Sequence, residues 1–532
     1  MARNSASIHM DDEKQSNPDS VTSTSKPSPD TAAMDTAVDT PVDTPVVPQG
    51  EKDLPPPPQP TTAMDHVKKF FNKKDNFAEE PPNGGIVAWL QVLGCFLVFM
   101  NNWGLASSFG VYQAYYQLPT SSPSLSAQGK SASQISWIGT IQASFTLIFG
   151  VLSGPLFDKG YFFQTLVAAS ILMCFSFMML SLCELYWQII IVQGVLQGIC
   201  SGLLYIPSVS QIPQYFTTRR GLALGLVTAG APFGGIVYPI IFRELITKYD
   251  FAWATRAIGF VALGLLVISW IIIKPLNLKN KIEKKLYDPE AFRDPPYLSF
   301  LAGSFFLFCG MLIPYVLCAT YSVTVIDGYD RSDFVRLAAA TSGGSISPAE
   351  IARFQDAENT AFYTVAIINA GNFFGRIIPC AISDFGVGPE YMLFSCDLAL
   401  TVLGFVWITV KQRVSYNAFL VFWGFFSGGI ASLPAAALPY ICPSLEVFAT
   451  RLGLVYFFAG IGVLIGTPIA TAIDARTPDA DDYLGSAVWV GTTMALGLFC
   501  ILHSGYWGGK RRRVIQKQQR EQKEAKRGVQ KA

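Results

Sequence analysis

Twelve long apolar runs, separated by polar stretches, dominate the hydropathy pattern from Ile86 onward. Each run is close to the ~20 residues that an α-helix needs to cross a hydrocarbon core about 30 Å thick. Charged side chains are sparse inside the runs, whereas Gly, Pro and aromatic residues are common, as membrane helices tolerate. The pattern predicts an all-α polytopic membrane protein with helices over 86–116, 134–156, 161–183, 187–212, 221–243, 254–275, 298–322, 359–382, 390–411, 414–439, 449–473 and 485–507.

The polar stretches divide the 532-residue chain into five predicted segments. Residues 1–83 are rich in Ser, Thr, Pro and Asp and bury too little apolar surface to offset chain entropy, so we expect a disordered tail. Two six-helix bundles, 84–275 and 298–507, would be joined by a central loop, 276–297, and followed by a basic, flexible tail, 508–532. Only 14% of residues are charged, against about 25% in soluble proteins, which favours a membrane protein.

Lysine and arginine in the short loops predict the orientation of the helices. With the N-terminus inside, the loops on that side and the run Lys510–Arg513 collect most of the positive charge, whereas the longest loop on the other side, 323–358, is acidic. The positive-inside rule then places both termini in the cytoplasm. The basic tail would contact anionic lipid. We expect the plasma membrane, because no organelle-retention signal ends the chain.

Two short motifs occur twice, and both repeats have a similar offset. Asp158 follows the second apolar run as Asp384 follows the eighth, each in an Asp-x-Gly turn. Phe-x-Thr-Arg-x-Gly-Leu opens the fifth run at Arg219 and the eleventh at Arg451. The repeats predict two duplicated six-helix halves with a substrate site between them near the membrane midplane.

The repeated residues are also candidates for gating. An aspartate in a tight turn can accept hydrogen bonds from a neighbouring helix N-terminus and so hold one conformation shut. The alternative is a solvated turn residue. We therefore predict gating roles for Asp158, Asp384, Arg219 and Arg451.

Two stretches resemble the fungal monocarboxylate-transporter-like proteins of the major facilitator superfamily. Residues 89–94 and 103–116 resemble their first helix, residues 369–379 resemble their eighth, and the likeness spans about 84–507. The resemblance implies a twelve-helix alternating-access carrier. In animal members, a lysine in helix one and an Asp-x-x-x-Arg pair in helix eight handle proton and carboxylate. Arg376 matches the arginine, but Asn372 stands at the aspartate position and Ser107 near the lysine position. These departures disfavour proton-coupled lactate transport specifically.

Arg376 is the first candidate for substrate binding. A guanidinium inside a membrane helix costs at least ~2.5 kcal/mol, so it should have a partner or a cavity. Its planar fork suits a carboxylate. The alternative is a structural pair with a fixed acid. Asp397, at a similar predicted depth in the next helix, is the acid we expect, and an Arg376–Asp397 pair would lock a gate or carry a proton.

Other polar side chains in the predicted helices are candidates for the cavity lining. Asn369, Asn372 and Arg376 share one helix face. The other predicted substrate-binding residues are Asn101, Gln113, Gln142 and Tyr205. For each amide the alternative is an interhelical hydrogen bond. For Tyr205, and for Tyr315 and Tyr440, it is packing or an interfacial position.

Several function classes lack the residues they need. The ten cysteines form no C-x-x-C pair, and with three histidines there is no metal-ligand pattern. No Walker loop for a nucleotide and no basic face with interleaved aromatics for a nucleic acid occurs. We therefore expect no cofactor and no enzymatic activity. The favoured function is a secondary transporter of a small organic anion, with proton coupling left open. The alternatives are an efflux carrier for a larger secondary metabolite and, from another class, a non-transporting membrane sensor.

Overall fold

The computed structural model describes residues 77–78, 83–117, 121–158, 161–216, 219–274, 277–278, 288–329, 348–442, 448–474 and 483–531. Nearly all of the predicted tail 1–83 and about half of the predicted central loop 276–297 lie outside the described residues. The predicted division of the chain into five segments therefore stays a prediction.

In the described part of the chain, twelve helices are long and apolar enough to span a membrane. The first six, here the N-terminal half, are α1 (Ile86–Gln117), α2 (Gln134–Gly154), α3 (Phe162–Leu180), α4 (Tyr186–Gln214), α5 (Arg220–Ile246) and α6 (Phe251–Ile272). The C-terminal half comprises α7 (Pro295–Ile326), α8 (Thr360–Phe385), α9 (Pro389–Thr409), α10 (Arg413–Ile441), α11 (Thr450–Asp474) and α12 (Leu484–Lys510). The predicted all-α fold is confirmed, and each predicted boundary lies within a few residues of the observed one.

Some helices extend beyond these spans or change their winding. The helix of α8 begins before the span, since it is continuous over Pro348–Ile382. In α4, the helical turns are wider over Ile190–Leu196, before Pro207. Wide turns and prolines inside a helix are common causes of local bending. Outside the helices, two-residue strands β1 (Phe77–Ala78) and β2 (Asn277–Leu278) pair in parallel.

The basic C-terminal segment differs from the sequence-based expectation. Residues 508–531 continue α12, as one helix over Leu484–Lys531. The described part of the predicted tail is thus an extension of the last spanning helix. Lys, Arg, Gln, Glu and Ala are good helix formers, and extending an existing helix avoids the cost of nucleating a new one.

The outer surface of the bundle is apolar. Large hydrophobic side chains are more than half exposed on several helices, among them Ile171, Phe175, Phe260, Val402 and Phe499. A belt of this kind suits contact with lipid. With twelve spans, α1 begins and α12 leaves at the same side of the bundle, which we call the terminal face. The other side is called the opposite face.

Candidate functional site

A cavity of about 1040 Å³, counted with its open mouth, lies between the two halves. Most of its lining is apolar, and Arg376 is the one charged residue among the described residues that line it. Its other lining residues are Trp103, Ala106, Ser107, Phe109, Gly110, Gln113, Ser136, Gly139, Thr140, Ala143, Tyr205, Phe308, Met311, Leu312, Tyr315, Val316, Asn369, Asn372, Ala431, Val463 and Thr467. Both halves thus contribute to a single chamber, as the internal repeat predicted.

The position of the lining residues along their helices gives the depth of the cavity. Residues 103–113 belong to the second half of α1, and residues 136–143 to the first half of α2. Both stretches lie toward the opposite face. Tyr205, Arg376 and Ala431 lie deeper, near the middle of their helices or beyond it. The chamber therefore has its floor near the centre of the bundle and extends toward the opposite face.

Arg376 is held at the floor by a network of polar side chains. Its Nε donates to Oδ1 of Asn372 at 2.8 Å, one helical turn earlier in α8. The amide of Asn372 donates in turn to the Tyr315 hydroxyl on α7 at 2.7 Å. Tyr315 and Ser427 on α10 share a hydrogen bond of 2.8 Å. Because Nε is engaged, the network orients the guanidinium of Arg376, which lines the chamber.

The predicted Arg376–Asp397 pair does not form in this conformation. Among the described residues, no carboxylate lies within ion-pair distance of Arg376, and neither oxygen of Asp397 has a hydrogen-bond partner. Asp397 is fully buried in α9, a helix that packs on α12 as well as on α10. Equal depth in neighbouring helices was a poor guide, because a helix also has a rotational orientation, and Asp397 does not line the cavity.

Two aromatic side chains meet across the halves at the floor. The rings of Tyr205 on α4 and Tyr456 on α11 are 5.1 Å apart in an edge-to-face arrangement. Trp103 packs edge-on against Tyr205, with 6.2 Å between ring centroids. The pair closes the chamber on its terminal side. Sequence reasoning singled out Tyr205 but missed Tyr456 and Trp103, because aromatic residues in membrane helices carry no signal that separates a cavity from a packed core.

Other predicted binding residues are divided between the cavity and the helix interfaces. Asn369, Asn372, Gln113 and Tyr205 line the cavity with Arg376, so for them the predicted location holds. Two of the other predicted residues, Asn101 and Gln142, do not line it.

Asn101 donates to the Leu97 carbonyl at 2.7 Å and accepts from Tyr238 at 2.5 Å. Gln142 donates to Gln197 on α4 at 3.3 Å. These two amides make interhelical contacts within the N-terminal half, the alternative that the sequence left open. Tyr440 is 39% exposed and also lies away from the chamber.

Asp384 accepts hydrogen bonds from a neighbouring helix N-terminus near the terminal face. Its Oδ1 accepts from the backbone N–H of Gly221, and its Oδ2 from that of Leu222, both at 2.9 Å. These amides belong to the first turn of α5, where the helix dipole favours a negative charge. The contact joins the two halves. The side chain of its repeat counterpart, Asp158, lies outside the described residues, and Arg219 itself is exposed.

The halves also touch deeper in the bundle, between α2 and α11 and between α5 and α10. Ser144 on α2 donates to the Gly460 carbonyl on α11 at 2.8 Å. A Cβ on Gly460 would lie 2.8 Å from Ile148, so glycine allows this approach. Thr228 on α5 and Ser432 on α10 share a hydrogen bond of 2.8 Å across the halves. The molecule is therefore closed on the terminal side and open on the opposite side.

Arg451 does not bridge the halves. It is 1% exposed and pairs with both Asp288 and Asp294 at 2.7 Å, and Tyr297 donates to its carbonyl at 2.9 Å. All of these partners lie just before or in α7, in the C-terminal half. The predicted gating role for Arg451 is thus not supported by its contacts, which tie the start of α11 to the start of α7.

Comparison with known proteins agrees with this architecture. Residues 91–354 match the Major Facilitator Superfamily. MFS-type transporter dbaD of Emericella nidulans is 36% identical over 419 residues, covering 79% of this chain and 86% of the relative. The aspyridones efflux protein apdF of the same organism is 33% identical over 398 residues, 74% of each chain. MFS-type transporter pynF of Aspergillus niger is 30% identical over 421 residues, 79% of this chain and 88% of the relative. These relatives are transporters and not enzymes. The chain is a multi-pass membrane transporter of a small molecule, and it belongs to the Major Facilitator Superfamily.

Proposed function

We propose that this transporter exports an acidic, largely apolar secondary metabolite. The observation that carries the proposal is Arg376, a guanidinium with no carboxylate partner among the described residues, at the floor of a mostly apolar chamber. A buried cation of this kind needs an anion or water to offset its desolvation. A carboxylate of the substrate is the simplest anion to supply that contact, in a bidentate arrangement.

The lining of the chamber favours a more apolar substrate than lactate. The walls carry Trp103, Phe109, Phe308 and Met311, which suit an apolar skeleton. One relative is named as an efflux protein, which supports export over uptake.

The contacts between the halves support an alternating-access cycle. Here the Asp384 cap and the Ser144–Gly460 contact hold the terminal side shut while the chamber is open on the other side. If both termini are cytoplasmic, as the loop charges predict, this is the state from which an exporter releases its substrate. Rocking of the halves would expose Arg376 to the cytoplasm for reloading. We also propose that the protein lies in the plasma membrane, as expected from the sequence.

The proposal is tested with fluorescent probes in proteoliposomes. Dansylaminoundecanoate carries an apolar body and a carboxylate, and its amide lacks the charge. We expect transport of the carboxylate to fall about tenfold to a hundredfold in Arg376→Gln, because a hydrogen bond to a charged group contributes about 1.5–3 kcal/mol. Arg376→Lys keeps the charge and should retain part of the activity, and the amide should be a poor substrate of every variant. Equal transport of carboxylate and amide by the wild type would overturn the proposal.

The second candidate is transport of a small monocarboxylate, with or without a proton. It is favoured by the match of Arg376 to an arginine of the monocarboxylate-transporter-like proteins that the chain resembles. The same vesicles distinguish it, with labelled pyruvate as the probe under an imposed proton gradient. Pyruvate uptake that depends on Arg376, without transport of the dansyl probe, would replace the efflux proposal by this one.

A further inference from the structure

One oxygen atom in the wall of the chamber is a hydrogen-bond acceptor without a donor. Asn369 on α8 is 2% exposed and lines the chamber. Its Nδ2 donates to the Val365 carbonyl at 2.9 Å. Because a carbonyl can only accept, this bond fixes which way the amide points, and Oδ1 is directed away from Val365. No described residue donates a hydrogen bond to that Oδ1, so it needs a donor from a bound molecule.

A hydroxyl group of the other half lies beside this acceptor. Between them is Gly235 on α5, on which a Cβ would lie 2.7 Å from Oδ1 of Asn369 and 3.1 Å from Cβ of Ser107. These two distances limit the separation of Oδ1 and the Ser107 Cβ to about 6 Å, roughly two hydrogen-bond lengths. Ser107 also lines the chamber, and its hydroxyl has no partner within the described ranges.

A hydroxyl group of a substrate suits the space between these two side chains. It would donate to Oδ1 of Asn369, which can only accept, and it would accept from the Ser107 hydroxyl. An ether or a ketone lacks the proton that Oδ1 requires. Ser107 belongs to the N-terminal half and Asn369 to the C-terminal half, so one substrate hydroxyl would contact both halves.

The spacing between Asn369 and Arg376 indicates how far this hydroxyl would lie from the carboxylate. The two residues are seven positions apart in one continuous helix, which corresponds to about two turns and about 10 Å along the axis. Both line the chamber, so they lie on one face of α8. A substrate with its carboxylate at Arg376 would therefore reach Asn369 with a group roughly 10 Å away.

We propose that Asn369 and Ser107 form a hydroxyl-binding subsite, and that the substrate is a hydroxylated carboxylic acid whose two polar groups lie about 10 Å apart. This inference rests on the proposed function and adds a second recognised group. The subsite discriminates by leaving Oδ1 of Asn369 unpaired when the hydroxyl is missing. Gly235 makes the subsite possible, because a larger residue there would press on that oxygen.

Competition with the transport of dansylaminoundecanoate tests the subsite. The competitors are 10-hydroxydecanoate, whose extended chain has about the required length, and 10-methoxydecanoate, which lacks the hydroxyl proton. We expect wild type to bind the hydroxy acid about tenfold more tightly, a 1.4 kcal/mol effect. The preference should vanish for 6-hydroxyhexanoate over 6-methoxyhexanoate, which are too short to reach from Arg376. A ratio near one for the long pair, or the same ratio at both lengths, would overturn the subsite.

Variants assign the preference to particular side chains. Asn369→Leu removes the acceptor at similar size and should bring the ratio of the two affinities near one. Ser107→Ala should lower the ratio about threefold, through the loss of one neutral hydrogen bond, whereas Ser107→Thr keeps a hydroxyl and should retain it. The matched control is Thr467→Val, which removes a hydroxyl from the α11 wall of the chamber and should leave the ratio within about twofold. A ratio that survives both Asn369→Leu and Ser107→Ala would overturn the assignment.

The same experiment separates failure of the subsite from failure of the proposed function. Inhibition by 10-methoxydecanoate that is lost in Arg376→Gln supports an acidic substrate, whether or not the hydroxyl is preferred. Inhibition by both competitors that is unchanged in Arg376→Gln would overturn the proposed function and the subsite together.

Discussion

The starts of α5 and α11 are copies of one sequence motif, and they have different contacts. At α5, Arg219 is exposed, and the helix amides of Gly221 and Leu222 receive the Asp384 carboxylate from the other half. At α11, Arg451 is buried and holds two aspartates of its own half. One copy of the motif makes a contact between the halves, and the other makes contacts within a single half.

The glycines of the two motifs also differ in how closely they approach the neighbouring helix. A Cβ on Gly221 would lie 2.8 Å from atoms of α8, whereas a Cβ on Gly453 would have its nearest neighbour, Val151, at an ordinary 3.7 Å. On the α11 side the close approach has moved two turns along the helix, to Gly460. Duplicated helices can therefore keep a motif while the contact that matters shifts to another residue.

The largest expected effect is at Arg451. Replacing it by glutamine removes its buried ion pairs with Asp288 and Asp294, and breaking a buried ion pair costs about 3–5 kcal/mol. The matched variant Arg219→Gln should change stability by no more than about 0.5 kcal/mol, since that side chain is exposed. Thermal unfolding of the purified variants, followed by intrinsic fluorescence, measures both. Equal destabilisation would remove the contrast between the two motifs.

Asp384→Ala should shift the molecule away from the state closed at the terminal face. The variant loses two charged hydrogen bonds across the halves, each contributing about 1.5–3 kcal/mol. Spin labels at exposed Phe163 and Tyr391, near the terminal ends of α3 and α9, report the separation of the halves by pulsed electron paramagnetic resonance. We expect a longer distance in Asp384→Ala and an intermediate one in Asp384→Asn, which keeps one acceptor oxygen. An unchanged distribution would mean that Asp384 is not a gate.

Gly460→Ala should weaken the contact between α2 and α11. A methyl group would press on Ile148 at 2.8 Å and on the Ser144 carbonyl at 3.0 Å, and overpacking of this kind costs about 1–3 kcal/mol. Gly453→Ala is the matched control, because that site has room. Transport of dansylaminoundecanoate should slow in the first variant and not in the second. The opposite order would place the close approach at Gly453.

The smallest effect is expected for Thr228→Val. It removes the hydrogen bond to Ser432 between the halves, which contributes about 0.5–1.5 kcal/mol. A double-mutant cycle with Ser432→Ala isolates that bond from the loss of either hydroxyl alone. A coupling energy near zero, measured from the melting temperatures, would assign the terminal closure to Asp384 and the glycines alone.

The sequence by itself determined the twelve helices, their approximate ends and the duplication of the halves. Hydropathy decides these features, because a lipid-facing helix must be apolar along its whole length and must satisfy its own backbone. Hydropathy also identified Arg376 as a candidate, since a charged side chain in a membrane helix should have a partner or a cavity. The contact of Asp384 with a helix N-terminus was also predictable from the sequence, because an acidic side chain suits that position.

Only the tertiary structure decided which polar residues share the chamber. Asn369 and Asn101 are both buried amides in spanning helices, yet one lines the cavity and the other bonds Leu97 and Tyr238. Arg219 and Arg451 have almost the same neighbours in sequence and different surroundings in space. The physical reason is that the rotation of each helix and the tilt of one half against the other depend on packing over many residues, which no local pattern encodes.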